Sequence, residues 1–369
     1  MFQWAWKSLA KQPGSLTASA SGIAFAFILV IFFDAVWQGE SEQVVAYPEN
    51  IKPDIWVMQS GVANMHMAMS FVWDWKADKI ASMPGVKQVT PILYLSNVIV
   101  AGDTKMFAFI VGLLPDAQRA GPWSMSAGRQ IKNPGEVVIP DVLSGLTGIG
   151  MGDQLRIADK NFTVVGLSSG TYSSANTVLF VPFKDLEDIL SSSGTYSYLL
   201  VDADDGIDAQ ALAVQIRNEV DKVNALTHAE FIKNDFSLAS QMGVEIILMM
   251  TTICSVLAAL IVAFTAYSLV MRKRQEIAII KALGVKNLLI FYALMLQAGL
   301  VTLYGFVIAI VFALFVIPYV PLLVPQLTLI VSMESLLQLG VIAFAVAISG
   351  ALLPTHMVLR LDPATAFHI

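Results

Sequence analysis

Between Asn287 and Ser332 the chain carries no charged residue. In hydrocarbon every backbone N–H and C=O must find its partner inside the protein, so an uncharged apolar run of this kind folds as helix. About 20 mostly apolar residues suffice to cross a bilayer, which makes this stretch too long for one ordinary span. Pro318, Pro321 and Pro325 mark the break, because proline lacks the N–H donor and its ring clashes with the preceding turn. One span is therefore expected to end near Ile317. Three further runs have the required length: Leu16 to Gln38, whose only charge is Asp34, Ile246 to Met271, which has none, and Met333 to Leu353. A hydrophobic content of 56% with 14% charged residues fits a membrane protein of four helices.

The first run follows Lys7 and Lys11 and so has the basic flank of a signal peptide. Its apolar region is long, however, and Asp34, Val36 and Trp37 stand where a cleavage site needs small residues, so it is read as a permanent helix. Orientation follows from the short flanks. Lys7 and Lys11 precede the first span, Arg272, Lys273, Arg274, Lys281 and Lys286 lie between the second and third, and Arg360 follows the fourth. The loop between the third and fourth spans has no Lys or Arg. The positive-inside rule then places both termini and the 272–285 segment in the cytoplasm, and residues of about 40 to 240 on the other side.

That region has the pattern of a folded α+β domain. "PDIWVM" and "VKQVTPILYLSNVIVAG" read as strands, and "DWKADKIASMPG" as a short helix stopped by Pro84 and Gly85. "GEVVIP", "DQLRIA", "NFTVVGL" and "SYLLVDA" are further strands, and Leu212, Ile216, Val220 and Val223 mark one face of a helix. About 200 residues are enough for an independent core. The single cysteine, Cys254, lies in an apolar run, so no intrachain disulfide is expected.

The densest basic segment, "RKRQEIAIIKALGV", reads as a helix ending at Gly284, with Ile277, Ile280 and Leu283 sharing much of one face and Lys273, Gln275 and Glu276 elsewhere. A basic flank after a span ordinarily serves only as a topology signal, and an amphipathic helix there can also lie against lipid phosphates. The residue order adds something more specific. It closely resembles the segment, often of the form R-x-R-E-I-x-x-x-K-A-L-G, between the second and third spans of the MacB/FtsX/LolE family of ABC transporter permeases. "KSLAKQPGSLTASASGIAFAFILVIF", "IASMPGVKQVTP", "GEVVIPDVLSGLTGIGMGDQLRIADKNFTVVGL" and "LLPTHMVLRLDPATAFHI" are similar to other parts of that family, so the resemblance covers nearly the whole chain. At the extreme end Phe367 and His368 replace the family's pattern.

The resemblance implies a fold of four transmembrane helices with a large α+β extracytoplasmic domain between the first and second. The expected segments are a cytoplasmic N-terminal helix at 1–15, a first span at 16–39, the outer domain at 40–240, and a second span with its stalk at 241–271. A coupling helix at 272–286, a third span at 287–317, an outer loop at 318–332, a fourth span at 333–354 and a cytoplasmic tail at 355–369 complete the chain. Such permeases dimerise, as homodimers or related heterodimers, in the bacterial inner membrane, and each copy meets a cytoplasmic P-loop ATPase. By the resemblance, Arg272, Arg274, Glu276, Ile277, Lys281, Ala282, Leu283 and Gly284 form the coupling segment, and the uninterrupted run from Met242 to Met271 is the rod that carries motion outward.

ATP and magnesium are expected in the partner, because this chain has no G-x-x-x-x-G-K-[ST], and its "GIGMGDQL" lacks the lysine of a phosphate loop. No cofactor bound by this chain and no nucleic-acid partner are expected. His66, His228, His356 and His368 are scattered, with no H-E-x-x-H, so no catalytic role is assigned. In "MQSGVANMHMAMSF", Met65, His66, Met67 and Met69 are of the type that selects Cu(I), yet short Met-rich loops are more often flexible apolar contacts. The resemblance implies that this part of the outer domain touches a partner or a lipidic cargo, through Met65, Met67, Met69, Phe71 and Trp73, with Trp75 beside them. Gly299, Gly305, Ala258, Ala259 and Ala263 permit close helix approach, across a dimer seam or within one subunit. Two functions remain open: export of a lipid, lipoprotein, peptide or amphiphile, with or without a periplasmic adaptor and outer-membrane duct, or FtsX-like activation of a cell-wall hydrolase.

Overall fold

The computed structural model describes residues 13–66, 69–102, 104–115, 117–173, 177–239 and 245–360. Along the chain lie α1 (Pro13–Val44), α2 (Ala46–Ile51), β1 (Ile55–Gln59), β2 (Val72–Trp73), α3 (Asp74–Ala81), β3 (Val86–Ala101), β4 (Thr104–Leu113), β5 (Met125–Gly128) and β6 (Glu136–Pro140). There follow α4 (Asp141–Thr147), β7 (Gln154–Ile157), β8 (Lys160–Ser168), β9 (Val178–Pro182), α5 (Phe183–Leu190), β10 (Thr195–Tyr196), β11 (Tyr198–Ala203), α6 (Ala209–Glu219), β12 (Val223–Thr227) and α7 (His228–Ala239). The chain closes with α8 (Glu245–Arg272), α9 (Arg274–Ala282), α10 (Asn287–Val316), α11 (Val320–Leu323) and α12 (Met333–Arg360). It splits into two compact units, one helical and one α+β.

In the helical unit four helices are long and apolar enough to cross a membrane: Leu16–Val44, Glu245–Arg272, Asn287–Leu323 and Met333–Met357. The break in the long uncharged run falls at Pro318, where α10 gives way to a 3-10 turn, Ile317–Tyr319. The first helix continues to Val44, beyond the residue 39 at which the apolar run stops, because Glu40 to Val44 contain neither proline nor glycine to end it. Residues 1–12, 240–244 and 361–369 lie outside the described residues, and with them most of the expected N-terminal helix, the start of the rod and the end of the tail.

The core of this unit joins all four helices, through Ile23 and Phe27 of α1, Val262 of α8, Val301 and Ala309 of α10, and Ala347 of α12. Small residues decide how close they come. A Cβ on Gly305 would stand 2.7 Å from the Ile23 side chain and 2.9 Å from the Ala20 carbonyl oxygen, and one on Gly350 would stand 2.6 Å from the Cα of Ala263. These approaches are within one subunit, which resolves the choice the sequence left open at Gly305 and Ala263. Gly305→Val is expected to lower stability by about 1–3 kcal/mol through overpacking. The thermal midpoint in mild detergent measures this, with Gly22→Ala, where an added Cβ meets nothing within 4 Å, as a control whose midpoint should hold or rise slightly. Equal midpoints for G305V and the parent would show that the α1–α10 contact is not tight.

The α+β unit is built on one sheet of ten strands in the order β12-β1-β11-β3-β4-β9-β6-β8-β5, with β7 beside β3 and β8. Most pairs are antiparallel; β4 with β9 and β6 with β8 are parallel. Alternation along the strands assigns neighbouring residues to opposite faces. Ile92, Tyr94, Phe109, Val111 and Phe180 join Trp56, Tyr198 and Phe231 in an aromatic core on one face. Leu93, Leu95, Ile110 and Leu179 pack on the other, beneath Leu186 of α5.

One sequence reading is corrected. Leu212 and Ile216 lie on α6, but the helix stops at Glu219; Val220 is already extended and Val223 opens β12. The cause is the Asp221–Lys222 turn, in which Lys222 takes a left-handed conformation at φ 56°. All four residues still reach the same core cluster, because the turn folds the strand back against the helix.

Candidate functional site

The basic segment begins where α8 ends. Arg272 closes that helix, Lys273 forms a turn whose N–H donates to the Val270 carbonyl at 3.2 Å, and α9 starts at Arg274. The end of α9 is closed by a Schellman arrangement. Gly284, at φ 83°, donates to Lys281 O at 3.0 Å, and Val285 N–H reaches back to Ile280 O at 3.4 Å. Ile280 and Val285 also touch the same apolar cluster, as the motif favours. A left-handed residue is needed at this point, which accounts for the glycine.

The two faces of α9 have different roles. Ile277 is only 1% exposed and packs with Val270, Ile290 and Leu294, at the junction of α8 and α10. Lys281 extends its ammonium to the Leu359 carbonyl at 2.6 Å and so satisfies an acceptor in the last turn of α12. On the other face Gln275, Glu276, Ile279, Ala282, Leu283 and Gly284 are exposed, Leu283 to 79%. Ile279 and Leu283 are four residues apart and therefore neighbours on the surface, forming an apolar pair beside Glu276.

The sequence placed Leu283 with Ile277 and Ile280, and Lys273 away from them; the structure reverses both. Leu283 is the C-cap residue; at about 100° per residue it lies about 120° from Ile277 and one turn from Ile279, on the exposed side. Lys273 lies in the turn between two helices, where its aliphatic stem is covered. Arg272 is exposed and Arg274 half-buried.

The Met-rich stretch also divides. Met65 is 3% exposed and belongs to the aromatic core, so it is not part of a contact surface. His66 is held by Asp235: its Nδ1 lies 3.0 Å from Asp235 Oδ1, which also accepts the backbone N–H groups of Met65 at 2.8 Å and His66 at 3.3 Å. An ionised carboxylate only accepts, so Nδ1 carries the proton. Burial, together with the nearby Asp235 charge, pushes the phenols of Tyr94 and Tyr198 up, keeping both neutral. Met69, Phe71, Trp73 and Trp75 are exposed, Trp73 to 56%. Met67 lies outside the described residues. Among the described residues no three His, Cys, Asp or Glu side chains form a metal-binding group.

Asp235 was not singled out in the sequence, although a signal was present. It stands four residues after Phe231, which is fully buried, and a carboxylate on a buried helical stripe needs a partner.

Comparison with known proteins bears on both regions. The family model for the MacB-like periplasmic core domain matches residues 16–219, and that for the FtsX-like permease C-terminal domain matches residues 248–363. This chain belongs to the MacB/FtsX family of ABC transporter permeases. The permease is 24% identical over 353 residues to an uncharacterised ABC transporter permease of Mycobacterium tuberculosis, covering 94% of this chain and 93% of that protein. It is 21% identical over 343 residues to a putative hemin transport system permease of Staphylococcus epidermidis, covering 92% and 91%. The crystal structure of the periplasmic region of MacB from Actinobacillus actinomycetemcomitans is similar to it at 12% identity and a TM-score of 0.39, over 52% of this chain and 96% of that one. The permease is thus a multi-pass membrane protein whose relatives are named as permease subunits.

Proposed function

We propose that this permease converts ATP hydrolysis by a separate cytoplasmic P-loop ATPase into motion of its α+β domain, which exports or extracts a lipid, lipoprotein, peptide or amphiphilic compound. The α+β domain faces away from the cytoplasm, and α9 and both chain ends face it, in the inner membrane of a bacterium. The basic flanks around Lys7, Lys11 and Arg272 to Arg274 support this orientation. ATP and magnesium belong to the ATPase.

The observation that carries the reading is the exposed pair Ile279 and Leu283, on a helix whose other face is anchored by Ile277 and Lys281. Apolar side chains on a fixed, capped helix suit insertion into a groove of a partner. Pushed by the ATPase, α9 would displace α8, about 42 Å long at about 1.5 Å per residue. A second permease copy, identical or related, covers part of the exposed apolar face of α8. The hemin permease relative suggests one amphiphile of the proposed class.

Purification of the tagged protein from its native membrane in mild detergent, followed by mass spectrometry, tests the motor. A P-loop ATPase is expected with the parent protein and is expected to be missing from a Glu276→Ala, Leu283→Asp variant. Recovery of the intact permease dimer without any ATPase would overturn the reading.

A further inference from the structure

A cavity of about 480 Å³ opens in the α+β unit at the C-terminal ends of the parallel strands β4 and β9. Its size lies within the range of about 300–1,000 Å³ typical of small-molecule sites. Strand ends of this kind are where open α/β sheets commonly hold ligands. Leu113, Val138 and Phe180 form its floor from three adjacent strands, and Ile131 and Phe183 form its walls.

Two features limit what can occupy it. Pro115, Pro122, Pro134 and Pro182 supply much of the lining, and none has an N–H to donate. A peptide would bring unpaired amides into these walls, whereas a hydrocarbon chain needs no partner. The polar lining comes from Gln130, Lys132 and Asn133 of one loop and from Lys184 at the start of α5, and among the described lining residues there is no carboxylate. Lys184 is paired with Glu187 at 2.5 Å, but the Lys132 ammonium has no acceptor among the described residues.

The loop that presents Lys132 is fixed. The Glu136 carboxylate accepts two hydrogen bonds from the Arg129 guanidinium, at 2.8 and 2.6 Å, and others from the N–H groups of Lys132 and Asn133. The Arg129 guanidinium holds the Glu136 carboxyl well below its usual range. Glu136 is thereby satisfied without the Lys132 ammonium, whose charge is left for a ligand.

We propose that this cavity binds a single-chain amphiphile with an anionic carboxylate head, its chain over Phe180 and Ile131 and its head at Lys132. The site requires no assumption that the bound molecule is exported, and its test is independent of the ATPase. The full-length protein in lipid nanodiscs is irradiated with a twelve-carbon carboxylic acid bearing a terminal diazirine, or with the matching alcohol, and the labelled peptides are mapped.

Saturable labelling by the acid is expected within residues 113–138 or 180–184. Lys132→Glu, at an exposed position, is expected to lower labelling by the acid about tenfold, the value of one charge-assisted hydrogen bond, and to leave the alcohol unchanged. Ile131→Trp is expected to narrow the cavity at the chain's proposed path and lower labelling by both. Labels confined to the membrane helices, or equal labelling of K132E and the parent by the acid, would overturn the proposal. So would displacement of the acid by an apolar peptide but not by unlabelled dodecanoate.

Discussion

Leu283→Asp is expected to weaken association with the proposed ATPase partner by about 100-fold or more while leaving the permease folded. Burial of a leucine side chain in a partner's groove is worth about 2 kcal/mol, and an aspartate in the same place adds several kcal/mol for an unpaired, desolvated charge. At about 1.4 kcal/mol per factor of ten, these exceed two decades. Folding is spared because Leu283 is 79% exposed and makes no contribution to the cluster around Ile277. Leu283→Ala, which removes only the apolar part, is expected to weaken association by roughly tenfold to a hundredfold. The measurement is titration of the purified ATPase onto the permease in nanodiscs, with the permease's thermal midpoint recorded for each variant. Undiminished binding to L283D at an unchanged midpoint would return α9 to a topology signal at the lipid surface.

Asp235→Ala is expected to destabilise the α+β unit by about 3–5 kcal/mol, as for one partner removed from a buried, hydrogen-bonded pair. One oxygen, Oδ1, accepts from two backbone N–H groups and an imidazole, and alanine would leave all three donors unmatched away from water. Asp235→Asn keeps an acceptor for the backbone and is expected to lose only about 1–2 kcal/mol, the difference between charged and neutral hydrogen bonding. Denaturant unfolding followed through Trp56, which stacks on Phe231 at 4.3 Å, reports the change, and limited proteolysis at residues 60–71 should become faster in D235A. A D235A midpoint within about 0.5 kcal/mol of the parent would mean that the loop at Met65 and His66 is held by its apolar packing alone. The loop carries the exposed Met69 and Phe71 and leads into Trp73 of β2, so its looseness would also reach the proposed contact surface.

The difference between these two residues shows what local pattern can reveal. Leu283 stood out because it belongs to a contiguous motif, and contiguity survives in one dimension. Its exposure did not, because that depends on which sector of α9 is covered: at about 100° per residue Leu283 lies about 120° from the buried Ile277 and beside the exposed Ile279. Asp235 is separated from His66 by 169 residues, and the cavity at Lys132 gathers segments from β4, β6 and β9. Such sites have no local signature, since pairing of distant strands creates them.

The amino-acid order alone determined the membrane class, the break at Pro318, the α+β domain between the first two spans and the family, because hydrocarbon length, proline chemistry and a contiguous motif are properties of neighbouring residues. Tertiary structure alone decided that Gly305 and Gly350 serve contacts within one subunit, that Met65 is core rather than surface, and that Lys281 is tied to the end of α12. Each of these depends on which distant backbone or side chain comes within a few ångströms, and that is fixed by packing rather than by periodicity.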